Sequence, residues 1–120
     1  MKPRIDRNRF GSITVEGTAY THDLLILPDG AVLPRPKELS KAVYGTSHVI
    51  SLAEAEQVYQ EGAQRLIVGT GLTGLTRLSE EAAAYFAKQG CRVDRYPTRR
   101  AIKAWNKAEG GVIGLFHITC

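Results

Sequence analysis

Gly69, Gly71 and Gly74 close an apolar run, Leu66-Ile67-Val68, in a chain of 120 residues. The spacing Gly-x-Gly-x-x-Gly is the one with which a strand-to-helix turn approaches a dinucleotide pyrophosphate, and Asp94 stands near the separation expected of a ribose-binding carboxylate. Two features argue against that chemistry. In the fingerprint the helix begins among the glycines, so that its N-terminus faces the phosphates; here the first clear helix cap is Ser79. Only 46 residues follow Gly74, too few for both halves of a dinucleotide domain. A looser reading is left: glycines at the carboxyl end of a buried strand turn backbone N–H groups into a crevice, which suits an anion. The alternative is a wide turn in which they permit positive φ and close packing.

An anion site over Gly69, Thr70 and Gly71 gains partners if Thr98 and Arg99, at the start of a helix, face the same crevice with a hydroxyl and a guanidinium. Asn106 shares a helical stripe with Thr98 and Ile102 at steps of four. With His48, ahead of an earlier helix, these make the candidate ligand-binding set. Each has a structural alternative: Thr98 as a helix cap, Asn106 as a partner of a loop carbonyl, His48 as a packing or capping residue. His48 and Asp23 are the only proton-transfer candidates. His117 reads as a satisfied core residue, and Cys120, three positions on, points to the opposite face of a strand. The two form no nucleophile–base pair, so no catalytic residue is assigned. Nothing calls for a cofactor or a metal.

Composition sets the frame. The chain is 43% hydrophobic and 23% charged, the balance of a soluble globular domain, and its length is that of one domain spanning residues 1–120. No apolar run reaches the roughly 18 residues of a membrane helix, and the first residues hold no signal-peptide core, so a cytoplasmic protein without membrane attachment is expected. Cys91 and Cys120 match no metal-ligand spacing and should be free thiols. The net charge of +4 favours anionic partners without identifying one. The cations cluster at Lys2, Arg4, Arg7 and Arg9, and again from Arg92 to Lys107. No stacking-aromatic or helix-turn-helix pattern accompanies them, so nucleic acid is not the partner expected.

The elements that would position these residues follow from periodicity. Residues 1–9 read as a loosely held basic N-terminus, with Phe10 the first core residue. Ile13 and Val15 alternate with polar residues as a half-exposed strand, Ala19–Thr21 can pair back, and Leu24–Leu27 reads as a strand covered on both faces. Pro28-Asp29-Gly30 is a turn, with a short strand at Ala31–Leu33. Residues 34–48 are irregular apart from a helical turn near Leu39–Tyr44, and a loop of that length is often functional or mobile. Ser51-Leu52-Ala53-Glu54 is a capping box opening a helix that Gly62 ends. Leu66–Val68 is the central strand. Ser79 opens a second helix that Gly90 closes, Cys91–Val93 is a strand, and Thr98 caps a third helix carrying Ile102 and Trp105 inward. Val112–Ile118 is a last, interior strand. The succession predicts an α/β sheet with helices on its faces, preceded by an antiparallel β segment.

Asp23 before an apolar strand, Ser47-His48, Leu66-Ile67-Val68-Gly69-Thr70-Gly71, Thr98-x-x-Ala101-x-x-x-Trp105-Asn106 and Phe116-His117-Ile118-Thr119-Cys120 occur together and in order. This set resembles the Mth938-domain family over about Phe10 to Cys120. The resemblance implies a three-layer Mth938-like fold, with a central mixed sheet of about five strands, the last antiparallel to the others, between helices and an N-terminal antiparallel β layer. Relatives in that family include an adipogenesis-associated cytosolic protein and a mitochondrial assembly factor for respiratory complex I. It supplies no reaction. Many relatives carry tryptophans after the glycine turn near position 30, where this chain has Val32-Leu33-Pro34-Arg35-Pro36.

Three functions are therefore carried forward. The first is a non-catalytic module that binds a small anion or a protein, as an assembly factor does. The second is an enzyme acting on a small anionic substrate, and the third a nucleic-acid-binding protein. The oligomeric state is open at this stage.

Overall fold

The computed structural model describes residues 2–120. Strands β1 (Ile5–Arg9), β2 (Ser12–Val15) and β3 (Thr18–Tyr20) form an antiparallel sheet of their own. Strands β4 (Leu24–Ile26) and β5 (Val32–Pro34) make a hairpin, and α1 (Glu38–Tyr44) follows. A two-residue strand β6 (Val49–Ile50) leads into α2 (Leu52–Val58). Then come β7 (Arg65–Thr70), β8 (Arg77–Leu78), α3 (Glu80–Lys88), β9 (Arg92–Tyr96), α4 (Thr98–Lys107) and β10 (Val112–His117). The central sheet runs β5-β4-β10-β7-β9, and β6 and β8 form a small parallel ribbon beside it.

Period two along the central strands divides the core between the two sheet faces. Leu24, Ile26, Ile67, Val112 and Phe116 point to one face, where they meet α4 through Ala101, Ile102 and Trp105 and the small sheet through Ile5, Ile13 and Val15. Leu25, Leu66, Val68, Ile113 and Leu115 point to the other, against Ala55 and Val58 of α2 and Ala82 and Phe86 of α3. The result is the expected three-layer α/β architecture. Glycines on the α4 side let that helix approach closely. A Cβ on Gly114 would stand 2.9 Å from Cζ3 of Trp105, and one on Gly69 would stand 3.0 Å from Oγ1 of Thr98.

Several expectations need correction. The last strand is not the antiparallel one: β10 lies in the middle of the sheet, parallel to β7, and it is β4 that runs against it. Residues 5–9 are not loosely held, because they form β1, and Ile5 is fully buried beneath α4. Phe10 is not a core residue but 64% exposed, since the β1–β2 turn carries it outward. Helix α2 stops at Val58, with Tyr59 already extended, before Gly62. Helix α4 is capped by Pro97, not Thr98, and that cap makes no side-chain hydrogen bond.

The connections fix where a site can form. From β7 the chain crosses to β9 through α3 on one face, then returns to β10 through α4 on the other. The carboxyl end of β7 is thus a point where the two helices diverge to opposite sides, the position at which open α/β sheets form ligand crevices. The glycine turn leaves the sheet there.

Candidate functional site

The turn after β7 and the start of α4 border one hollow of about 460 Å³. Gly71, Leu72, Pro97 and Thr98 line it with Arg99 and Arg100, and the β1–β2 turn closes the far side with Asn8, Arg9 and Phe10. Gly71 is required on two counts. Its φ is 91°, and a Cβ there would come within 2.5 Å of the Cys120 carbonyl oxygen, so the segment after β10 seats directly on it.

Thr98 locks this corner. Its buried hydroxyl accepts from the Gly71 N–H at 2.9 Å and donates to the His117 carbonyl at 2.6 Å, while the Thr98 N–H donates to the Gly71 carbonyl at 3.2 Å. The Gly71 N–H is therefore used within the fold. What the hollow offers a ligand is cationic side chains. Arg9, Arg99 and Arg100 have no carboxylate partner among the described residues, whereas Arg35, Arg65 and Arg92 are each paired. Arg100 packs over the Tyr96 ring instead, 5.9 Å from its centroid. Phe10 and Leu72, 64% and 52% exposed, add apolar surface at the rim.

The sequence candidates divide. Gly71, Thr98 and Arg99 come together in this hollow. Gly69 lies beneath α4, and the Thr70 hydroxyl donates to the Tyr96 carbonyl at 3.0 Å; neither lines it. Asn106 is engaged elsewhere: its side chain accepts from the Ile5 N–H and donates to the Ile5 carbonyl, at 2.9 and 2.8 Å, and so clamps β1 to α4. Asp94 is a surface ion-pair residue, 2.7 Å from Nε of Arg65 and 2.9 Å from Nε of Arg92, and no ribose-binding group. Arg9, Arg100, Phe10 and Leu72 were missed. The only signal for the first and third was their place beside Gly11 in a turn, which says nothing of what the turn faces.

His48 belongs to a different constellation, a buried polar network. Arg35, 3% exposed, donates from Nε and Nη2 to the two oxygens of Glu54 at 2.6 and 3.0 Å, from Nη1 to Asp23 at 3.1 Å, and to the Ser47 carbonyl at 2.7 Å. Ser40 donates to the same Glu54 carboxylate. Glu54 is thereby drawn away from its role in the capping box. The Ser51 hydroxyl does accept from the Glu54 N–H at 3.1 Å, but the Ser51 N–H donates to the Ser40 hydroxyl at 2.9 Å. Asp23 in turn accepts from His117 Nδ1 at 2.8 Å and from the Ile118 N–H at 3.0 Å. The other ring nitrogen, Nε2, stands 3.1 Å from the Thr119 hydroxyl, so the imidazole bridges Asp23 and Thr119. The His48 ring stands edge-on to His117, centroids 5.3 Å apart.

Opposite charges offset the cost of burying Asp23 and Arg35. Burial alone would raise the Asp23 carboxyl, but the hydrogen bond and charge of His117, the Ile118 N–H and Arg35 outweigh it and hold the group below the usual carboxylate range. Burial would likewise lower the Arg35 guanidinium, and Glu54 and Asp23 together raise it instead. Glu54 carried a readable signal: it stands four residues before Val58, on the inward stripe of α2. Among the described residues no group of His, Cys, Asp and Glu could hold a metal ion, and Cys91 and Cys120 are free. Among the described residues no helix is long and apolar enough to cross a membrane.

Comparison with known proteins accounts for the fold. Residues 5–114 match a family model described as a protein of unknown function, DUF498/DUF598. The crystal structure of the conserved hypothetical protein PH1505 from Pyrococcus horikoshii OT3 is 32% identical, with a TM-score of 0.91 over 98% of this chain and 99% of that one. The structure of MT938 is 33% identical, with a TM-score of 0.83 over 99% and 100% of the two chains. The solution structure of a Mth938-like domain from Bordetella pertussis has the same fold at 19% identity and a TM-score of 0.61, over 97% of this chain and 85% of that one.

Proposed function

This chain belongs to the DUF498/DUF598 family of unknown function, with its Mth938-like fold, and from that premise we propose that it is a non-catalytic module binding a small anion in the hollow between the glycine turn and α4. One observation carries the reading: Arg9, Arg99 and Arg100 line one concave space, and none of them has a carboxylate partner among the described residues. Unpaired guanidinia are suited to bind carboxylate or phosphate through paired N–H donors. Thr98 acts as the positioning residue, since it holds Gly71 and the start of α4 together beneath them. A ligand specific to the folded state raises the melting temperature, by an amount equivalent to about 2.7 kcal/mol at a hundred times its Kd. Inorganic phosphate, pyrophosphate and citrate should each be titrated against the native chain and Arg99→Ala. Stabilisation of the native chain that is reduced in the variant and weakened by added salt supports the reading. Equal shifts in both proteins would place the anions elsewhere.

A second reading rests on the exposed Phe10 and Leu72 at the rim: a protein partner covers the hollow, as the family resemblance noted above would allow. Phe10→Asp would then weaken partner capture while leaving phosphate stabilisation in place. The enzymatic alternative draws on the Asp23–His117–Thr119 chain, which has the carboxylate–imidazole–hydroxyl order of a relay. Neither His117 nor Thr119 lines the hollow, and Asp23 already serves Arg35, His117 and the Ile118 N–H, so the binding reading has the stronger support.

A further inference from the structure

A second depression, of about 230 Å³, adjoins the hollow and shares Asn8 and Arg9 with it. Its remaining lining is polar: Arg7, Ser12 and Thr14. Register places Arg7 beside Thr14 and Arg9 beside Ser12 across the β1–β2 pair, so each cation has a hydroxyl neighbour. Arg7, like Arg9, Arg99 and Arg100, lacks a carboxylate partner among the described residues. The two spaces therefore differ in kind. The larger has an exposed aromatic ring and a leucine at its rim, and the smaller has hydroxyls and guanidinia without apolar side chains.

We propose that the paired hollows form one site for a nucleoside polyphosphate, with the base against Phe10 and Leu72 and the phosphates running from Arg99 over Arg9 toward Arg7. This deepens the anion-binding reading and rests on it. Three considerations select the ligand class. A lone carboxylate is saturated by one or two guanidinia, and four unneutralised ones in succession match a chain of phosphates. An exposed phenylalanine among arginines is a platform on which a planar base stacks, and guanidinium groups add to that stacking. A space of about 460 Å³ lies within the ~300–1,000 Å³ of small-molecule sites. The phosphates do not lie on the glycine turn, because the Gly71 N–H is taken by Thr98 and the Leu72 N–H by the Thr119 carbonyl at 2.8 Å. The site is thus unrelated to the dinucleotide fingerprint that the glycine spacing suggests.

The test compares ATP, tripolyphosphate, adenosine and a single-stranded oligonucleotide by calorimetric titration of the full chain. ATP should bind more tightly than tripolyphosphate, and adenosine weakly. Phe10→Ala should narrow the ATP-to-tripolyphosphate ratio by about tenfold, and Phe10→Trp should restore it. Arg7→Ala should weaken ATP and tripolyphosphate together. Phe10 and Arg7 are exposed, so these variants keep the fold, which an unchanged melting temperature verifies. If tripolyphosphate binds as tightly as ATP and Phe10→Ala changes nothing, the nucleoside assignment falls and the anion reading stands. If no anion binds, both fall. An oligonucleotide that binds far more tightly than ATP would overturn the assignment in favour of a nucleic-acid strand.

Discussion

Asp23 bears more of the structure than its position before a short strand suggests. It accepts from a guanidinium, an imidazole and a backbone N–H while 4% exposed, so its charge is both buried and fully engaged. Removing one partner of such a group strands the others. Asp23→Asn should therefore destabilise the chain at neutral pH by about 3–5 kcal/mol in urea unfolding. The pH dependence has a definite sign. Because the folded carboxyl is held below its unfolded value near ~3.9, its contribution is fully present above that pH and is lost as pH falls through the folded value. The wild-type chain should lose stability steeply below about pH 4, and the gap to Asp23→Asn should shrink in that window. A gap that stays constant down to about pH 2 would contradict this role.

Among the elements, β1 shows what was hidden in the sequence and why. Its residues, Ile5-Asp6-Arg7-Asn8-Arg9, offer one apolar position among four polar ones, with no alternation to read. The strand exists because α4 holds it across a long separation. Trp105 Nε1 donates to the Pro3 carbonyl at 2.8 Å, Lys2 donates to the Trp105 carbonyl, and Asn106 pairs with both backbone groups of Ile5. Asn106→Ala removes two of these links, at about 0.5–1.5 kcal/mol each. Amide exchange in β1 should accelerate by more than that in β7 or β10, since β1 opens without breaking the central sheet. Uniform acceleration throughout would mean that β1 is not separately held. By contrast the capped helices and apolar strands were legible, because Ser51 and Ser79 do accept first-turn N–H groups and the central strands divide by period two. The ribbon of β6 and β8 was not, since two-residue strands carry no pattern.

For the molecule as a whole, the partly legible site follows the same division. Gly71, Thr98 and Arg99 could be drawn together because a strand end and a helix start announce themselves locally, and element order brings them to one edge. Arg9 and Phe10 enter the same hollow only through the packing of the small sheet beside α4, a relation between segments far apart in the chain that no local pattern records. His48 and Asn106 stand close to the right elements in sequence yet face other partners, which residue type alone could not decide.

The place of β10 has a consequence for how the chain comes off the ribosome. Until it emerges, β4 with β5 and β7 with β9 are separate pairs, each with an apolar edge and nothing between them to join. The nascent chain must carry two half-sheets, sticky at their inner borders, until the closing strand slots in and welds them. A fragment ending at Gly111 should accordingly bind a hydrophobic dye and aggregate, and a supplied peptide covering residues 112–120 should rescue it. A fragment that is monomeric and cooperatively folded without the peptide would show that the halves find each other unaided.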